Sequence, residues 1–221
     1  MCANPTKFVE SFNGSIGAFS GSGAVRLASG LWLEEGESNY VPNPVSATDV
    51  AGWSAQTDIT MSHETSLPGP LPGWLAGLVT TGFRLTATAN RSGNLAVSTQ
   101  AAVDAAGAHR VAVYLWVPAA FSATQVGVRP TNFGGVGMSF TEVFADLSMR
   151  DQWQRLDGPF VVDAADLTGR VLIRTTSGTM LSGETLWFTL AELQPGSYLT
   201  SPVAETLGAG YANVGTAHNS V

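Results

Sequence analysis

The sequence predicts an all-β protein, a jelly-roll β-sandwich of about eight strands with an extended N-terminal arm and a short C-terminal extension. Several runs alternate apolar and polar residues with period two, which is typical of half-buried strands. Gly, Pro, Asn and Asp separate these runs at roughly even intervals, as turns do in antiparallel sheets. The 25 glycines and 11 prolines follow no repeat, which favours many turns over long helices. An immunoglobulin-like sandwich stays open as the alternative, because many such domains also lack a cysteine pair.

The N-terminal residues 1–36 predict short strands, either as an arm that docks on the main domain or a neighbouring subunit, or as the end of a preceding β element. Their apolar residues are scattered among Ser and Gly and supply no core of their own. A disordered arm is the alternative, but aromatic residues are more frequent here than in typical disorder. Residues 37–48 contain two prolines around an asparagine, and this composition predicts a linker.

Residues 49–200 carry the strands of the predicted jelly roll, and residues 201–221 form the predicted C-terminal extension. The predicted strands are the runs 83–88, 111–117, 125–129, 154–162, 170–175 and 186–190. Residues 142–150 are the longest helical candidate, although their pattern is short.

Alternation along these strands predicts which side chains face away from the core, because successive side chains in a strand point to opposite faces. The core-facing side chains of the last strand are Leu186, Phe188 and Leu190. Those of the earlier strands are Val111, Val113, Leu115, Val117, Val126, Val128, Val171 and Ile173. The non-core faces collect aromatic and hydrogen-bonding side chains, and these are the candidate glycan-binding residues: Tyr114, Trp116, Trp187, Arg129, Arg174 and Gln125. Such a set can stack on the apolar face of a sugar and hold its hydroxyls. The alternative is that the N-terminal arm, a loop or a neighbouring subunit covers these aromatics.

Composition and charge exclude several classes of function. The net charge is −7 and the ten Lys and Arg residues are scattered, which argues against a nucleic-acid partner. No apolar run approaches the roughly 20 residues of a membrane-spanning helix. Cys2 is the one cysteine, so no intramolecular disulfide is expected. The N-terminal residues lack the features of a signal peptide, so synthesis in a cytoplasm without export by that route is expected.

Catalytic and cofactor-binding motifs are missing from the sequence, which predicts no enzyme and no cofactor. The three histidines are far apart, and neither a Gly-x-Ser-x-Gly elbow nor a phosphate-binding loop occurs. Glycosidases need two facing carboxylates about 5–10 Å apart. Glu34 and Glu35 are adjacent in sequence and point apart, and Glu142, Asp146 and Asp151 have no identifiable partner.

A structural calcium ion is the alternative to this metal-free prediction, since oxygen ligands can hold the strands of a jelly roll together. The conceivable donors are Glu64, Asp163 and Glu192, and no Asp-rich loop marks the site.

Four short phrases follow one another along the chain in a characteristic order. In residues 30–44 a predicted strand ending in Leu-Glu-Glu-Gly leads to a Ser-Asn-Tyr-Val-Pro-Asn-Pro phrase, and Gly-Trp follows at 52–53. Trp-Gln-Arg lies at 153–155, a closing strand lies at 190–198, and a Gly-, Asn- and Thr-containing phrase lies at 210–220. In this order the phrases resemble those of minor tail proteins of siphophages that infect actinobacteria, where the closing strand reads Leu-Glu-x-Gly-x-x-Tyr and the last phrase has Trp in place of Asn213.

The resemblance implies a virion component, in the tail or its tip, that contains a carbohydrate-binding-module-like jelly roll. It also implies assembly in the host cytoplasm. Its expected partners are other virion proteins, further copies of the chain and host cell-envelope glycans. The resemblance supplies neither an enzymatic role nor assigned binding residues. A capsid decoration protein and a free carbohydrate-binding module are the alternatives.

Overall fold

The computed structural model describes residues 39–72, 75–76, 79–93, 95–133 and 142–196, together with short backbone strands in the flanking segments. The predicted docking arm and C-terminal extension otherwise lie outside the described residues. The flanking strands form three antiparallel pairs: β1 (Thr6–Glu10) with β2 (Ile16–Ser20), β3 (Val25–Arg26) with β4 (Trp32–Leu33), and β17 (Asn213–Val214) with β18 (Asn219–Ser220).

Twelve further strands make up the body of the protein. They are β5 (Trp53–Ala55), β6 (Ile59–Glu64), β7 (Gly82–Ala87), β8 (Arg91–Ser92), β9 (Leu95–Ala102), β10 (Gly107–Trp116), β11 (Gln125–Thr131), β12 (Val143–Phe144), β13 (Trp153–Val162), β14 (Thr168–Ser177), β15 (Thr179–Met180) and β16 (Thr185–Pro195). The short strands β8 and β15 pair with each other.

Two five-stranded antiparallel sheets form the jelly-roll sandwich, which confirms the predicted fold class. Sheet I has the strand order β13-β10-β16-β7-β6, and sheet II has the order β12-β11-β14-β9-β5. All six predicted strands are present. The sequence analysis missed β5, β6 and β9. In β9 the small Ala, Ser and Thr side chains give a weak hydrophobic alternation.

The predicted helix at 142–150 is wrong. These residues form β12 and a turn in which Asp146 Oδ1 accepts hydrogen bonds from the backbone N–H and the hydroxyl of Ser148. Such side-chain bonds to the local backbone compete with helix formation. No helix in the described part of the chain is long and apolar enough to cross a membrane.

The central core lies between the inner faces of the two sheets. The Phe83 and Phe188 rings stack at 4.5 Å between centroids, and Trp53 packs against both at 5.3 and 4.8 Å. The predicted core residues of the other strands are buried in the same cluster, which confirms their orientation: Val111, Val113, Leu115, Val117, Val126, Val128, Val171 and Ile173.

A β-bulge interrupts the alternation of β16. Ala112 opposes Glu192 and Tyr114 opposes Thr189, so between these two pairs β16 contains one residue more than β10. The extra residue is accommodated at Leu190, whose φ is 50°. The bulge turns Leu190 away from the central core, and its side chain packs on the outer face of sheet I. Leu190 is buried as predicted, but on the face opposite to the predicted one.

Residues 39–46, assigned to the linker by the sequence, run alongside β16 as part of the packed body. The Tyr40 N–H donates to the Leu193 carbonyl at 2.9 Å, and the Ala191 N–H donates to the Pro44 carbonyl at 3.0 Å. The buried Asn39 amide donates to the Ala191 carbonyl and accepts from the Leu193 N–H, each at 3.1 Å. These bonds satisfy β16 backbone groups where the bulge ends its pairing with β7.

Candidate functional site

A row of tryptophan residues crosses the outer face of sheet I. The strand register pairs Trp153 with Trp116, Trp116 with Trp187, and Trp187 with Arg84. Ser62 opposes Arg84 on the edge strand β6. Directly opposed residues of antiparallel strands share a face, so these five side chains form one line, which we call the tryptophan row.

The tryptophan row is exposed at only one end. Trp153 is buried, and its indole ring meets that of Trp116 edge-on at 5.7 Å and 65°. Trp116 and Trp187 are half-buried. The Arg84 guanidinium lies 5.9 Å from the centroid of Trp187, which is within cation–π range. The Arg84 side chain is 41% exposed and approaches Glu64 at 3.7 Å. Two indole rings, a guanidinium and a carboxylate are therefore adjacent at this end.

A second row, centred on Tyr114, lies beside the first. Tyr114 is opposed by Arg155 on one side and Thr189 on the other. The Arg155 guanidinium is 5.8 Å from the Tyr114 ring and 3.4 Å from a carboxylate oxygen of Glu192, a fully buried side chain. Burial raises the pKa of the Tyr114 hydroxyl, and the positive charge of Arg155 partly offsets this effect. Tyr114 is therefore a neutral, packed side chain at ordinary pH.

A loop segment covers the second row. We call residues 67–79 the covering segment. Its apolar side chains pack with Tyr114, Trp153 and the bulged Leu190 in a second hydrophobic cluster, and they are Leu67, Leu71, Leu75 and Val79. The Trp153 indole N–H donates to the Gly69 carbonyl at 2.8 Å. The sequence analysis left open that a loop covers the predicted aromatic residues, and this is what the structure shows for Tyr114.

Glycine at position 69 permits the close approach of the covering segment to the tryptophan row. A Cβ atom at Gly69 would lie 2.8 Å from two ring atoms, Cη2 and Cζ3, of Trp116. The segment thus packs directly on one side of that indole. Trp116 and Trp187 both pack against the second hydrophobic cluster and are half-buried, whereas the Arg84 end of the row is more open to solvent.

The other three predicted site residues lie on the opposite side of the sandwich, on sheet II. Arg174 forms a two-pronged ion pair with Glu142, with Nε to Oε1 at 2.7 Å. Gln125 accepts a hydrogen bond from the Thr176 hydroxyl at 3.0 Å. Arg129 is half-buried on β11, opposite Leu172. The structure therefore brings together Tyr114, Trp116 and Trp187 and separates them from Arg129, Arg174 and Gln125 by the whole core.

The three conceivable calcium ligands do not meet. Glu64 accepts from the Ser62 hydroxyl at 2.7 Å, Glu192 lies beside Arg155, and Asp163 accepts from the Ala165 N–H at 3.0 Å in an exposed turn. Among the described residues, no three His, Cys, Asp or Glu side chains form a metal-binding group.

Sequence reasoning missed three residues of the outer face of sheet I, namely Arg84, Trp153 and Arg155. The signal was available in each case. Arg84 follows the core residue Phe83 in an alternating run, and Trp153 and Arg155 alternate with the buried Leu156 in β13.

Comparisons with known proteins bear on the fold. No protein-family model matches the chain, and no curated protein matches it by sequence. The arabinose-bound α-L-arabinofuranosidase MgGH51 matches with a TM-score of 0.52 and 11% identity, over 73% of this chain and 27% of that enzyme. The chain thus spans about a quarter of the enzyme's length.

Two further solved structures match with lower scores. The module TmCBM61, solved with β-1,4-galactotriose, matches with a TM-score of 0.48 and 14% identity, over 70% of this chain and 97% of the module. The enzymatically active domain of tailspike protein 4 from bacteriophage CBA120 matches with a TM-score of 0.47 and 11% identity, over 70% of this chain and 21% of that one. At these identities the likeness concerns the β-sandwich fold alone.

Proposed function

We propose that this chain is a non-catalytic structural protein of a tailed phage, in the tail or its tip, and that it binds host cell-envelope glycans through the exposed end of the tryptophan row. The four sequence phrases support the first part, including a virion location, assembly in the host cytoplasm, and contacts with other virion proteins and with further copies of the chain. The geometry of Trp116, Trp187 and Arg84 carries the second part.

The physical argument for glycan binding rests on adjacent apolar and polar surfaces. A half-buried indole is rigid, and its exposed part can stack on the apolar side of a sugar ring. Arg84 and Glu64 supply donors and acceptors for hydroxyl groups beside that ring. The two carboxylates nearest the rows, Glu64 and Glu192, each face an arginine rather than each other. This arrangement is suited to sugar binding, and it differs from the pair of facing carboxylates that glycoside hydrolysis needs.

The covering segment limits the contact to a small surface, so a single site is expected to bind weakly. Many copies held in one particle would raise the overall avidity by orders of magnitude without any new contact. Weak sites repeated on a virion would thus suit reversible attachment to a cell envelope.

The binding proposal is tested by Trp187→Ala in the full chain, with a glycan array and host envelopes as ligands. Both indoles pack on the second hydrophobic cluster, and Trp187 is the better first target because Trp116 packs on Trp153 and Gly69 in addition. Removing a central aromatic anchor typically costs about 2 kcal/mol or more, which corresponds to a roughly 30-fold loss of affinity. Phe144→Ala is the matched control, since Phe144 is 41% exposed on the outer face of sheet II. Equal binding by a folded Trp187→Ala protein would overturn the proposal.

The virion proposal has a separate test. Immunogold labelling of purified particles should place the protein on the tail, and deletion of residues 1–36 should prevent its incorporation while glycan binding persists. Label on the head would instead favour a capsid decoration protein, and its absence from particles would favour a free module.

A further inference from the structure

A polar cleft lies at one end of the outer face of sheet II, opposite to the tryptophan row. It forms where β9 and β11 end and β14 begins, and it is an open depression with a volume of about 430 Å³. This volume is within the range of small-molecule sites, which is about 300–1,000 Å³. Its polar lining residues are Gln100, Asn132, Asp166, Thr168 and Arg170, and Ala101, Ala102 and Gly169 complete the lining.

Arg170 is the central side chain of the cleft. It lies on the middle strand of sheet II, between Thr131 of β11 and Gln100 of β9. Arg170 is exposed, and no carboxylate pairs with it among the residues that the structure describes. A guanidinium in this position offers a planar pair of N–H donors to a ligand, a geometry that matches a carboxylate.

The flanking groups supply further donors and an acceptor. Asp166 Oδ1 accepts from the Thr168 N–H at 2.9 Å and the Thr168 hydroxyl at 2.8 Å. These bonds lower the pKa of Asp166 and fix the carboxylate, whose Oδ2 carries no hydrogen bond from the described residues. Asn132 Oδ1 accepts from the Thr131 hydroxyl at 3.2 Å, so the amide nitrogen is the group of this side chain that can donate to a ligand. Asp166, Asn132 and Gln100 together suit the hydroxyl groups of a polyol.

The chemistry of the cleft differs from that of the tryptophan row. Among the described residues that line it there is no aromatic side chain, so they offer a neutral sugar no stacking surface. A sugar that carries a carboxylate would instead be held by the guanidinium. We propose that this cleft binds an acidic sugar, with the carboxylate on Arg170 and the hydroxyls on Asp166, Asn132 and Gln100. The site is independent of the tryptophan row, because the two lie on opposite outer faces of the sandwich.

The test is an NMR titration of the ¹⁵N-labelled full chain with trigalacturonate, its methyl ester and inorganic phosphate. Trigalacturonate should shift the backbone amides of Gln100, Thr168 and Arg170 saturably, and the uncharged ester should bind at least about tenfold more weakly. Arg170→Gln should raise the Kd for trigalacturonate by about tenfold or more. Arg91→Gln is the matched control and should leave the Kd unchanged, since Arg91 is an exposed arginine that pairs with Asp58 at 2.8 Å, outside the cleft.

Three results would overturn the proposal. They are no shift at the cleft amides, equal binding of the ester, and phosphate binding as tight as that of trigalacturonate, which would indicate a general anion site. The indole N–H signals of Trp116 and Trp187 report the tryptophan row in the same spectra. A failure of one site is therefore distinguishable from a failure of the other.

Discussion

Substitution of Leu71 by Ala tests whether the covering segment holds down the outer face of sheet I. The Leu71 side chain is 2% exposed and belongs to the cluster of Tyr114, Trp153 and Leu190. Leu→Ala changes in protein cores cost about 2–5 kcal/mol, and the cost is lower where the surroundings can collapse into the cavity. The covering segment contains no strand among its described residues, so it should relax partly. We expect a loss of about 2–3 kcal/mol in the free energy of unfolding.

The assay is urea unfolding followed by tryptophan fluorescence, with thermal unfolding alongside. Trp153 reports on the segment directly, because its indole N–H is bonded to the Gly69 carbonyl. For a chain of this length, a loss of 2–3 kcal/mol corresponds to a fall in Tm of roughly 5–10 °C. An unchanged m-value would show that the variant unfolds with the same change in exposed surface.

Leu181→Ala is the matched control for this experiment. Leu181 is 42% exposed, so its truncation should change the stability by no more than about 0.5 kcal/mol. If Leu71→Ala were as mild as Leu181→Ala, the covering segment would not be packed on Tyr114. The whole aromatic face would then be open, and the argument for a site restricted to Trp187 and Arg84 would fail.

Two further predictions concern stability. Burial lowers the pKa of His109, with opposing contributions from the Gly107 carbonyl and the Asp104 charge, so the unfolded chain takes up its proton at higher pH than the folded one. The free energy of unfolding should therefore fall as the pH drops through about 6.5 towards the lower folded pKa. His109→Leu should remove this part of the pH dependence, measured by urea unfolding from pH 8 to 5. Identical pH dependence in the two proteins would contradict the prediction. At Gly169 a methyl group would lie 2.5 Å from the Phe133 ring and from the Thr131 carbonyl oxygen, so Gly169→Ala should cost about 2–3 kcal/mol. Gly183→Ala, which meets only the strain of a φ of +88°, should cost about 1 kcal/mol, and equal losses of Tm would refute the steric argument.

The fold class was predictable because the alternation of apolar and polar residues is visible within the sequence of each single strand. The core-facing side of β10, β11 and β14 could be assigned from the residues of each strand, since Val, Ile or Leu recurs there at every second position. The same reasoning failed for β9, whose Ala and Ser residues hardly differ in hydrophobicity between its two faces. It also failed at 142–150, where a short apolar pattern concealed a turn fixed by Asp146.

The candidate site was only partly predictable, because alternation gives the face of a strand but not its neighbours. Trp116 and Trp187 lie 71 residues apart in sequence and meet only because β10 pairs with β16. Arg129 and Arg174 have the same outward orientation, but their strands belong to the other sheet. Strand order depends on pairings that are distant in sequence, and a single sequence without an alignment carries little information about them.

The bulge at Leu190 links the backbone of β16 to the shape of the candidate site. Without the extra residue, strict alternation would direct Leu190 inward, and the outer face beside Tyr114 would lose its most buried aliphatic side chain. The bulge instead adds Leu190 to that face, where Leu71 and Leu75 pack on it and hold the covering segment in place. The segment in turn buries Tyr114 and contacts Trp116 through Gly69. One additional backbone residue, at a φ that costs Leu about 1 kcal/mol or more, thus places Leu190 in the cluster on which Trp116 and Trp187 both pack, and Arg84 forms the more exposed end of the row.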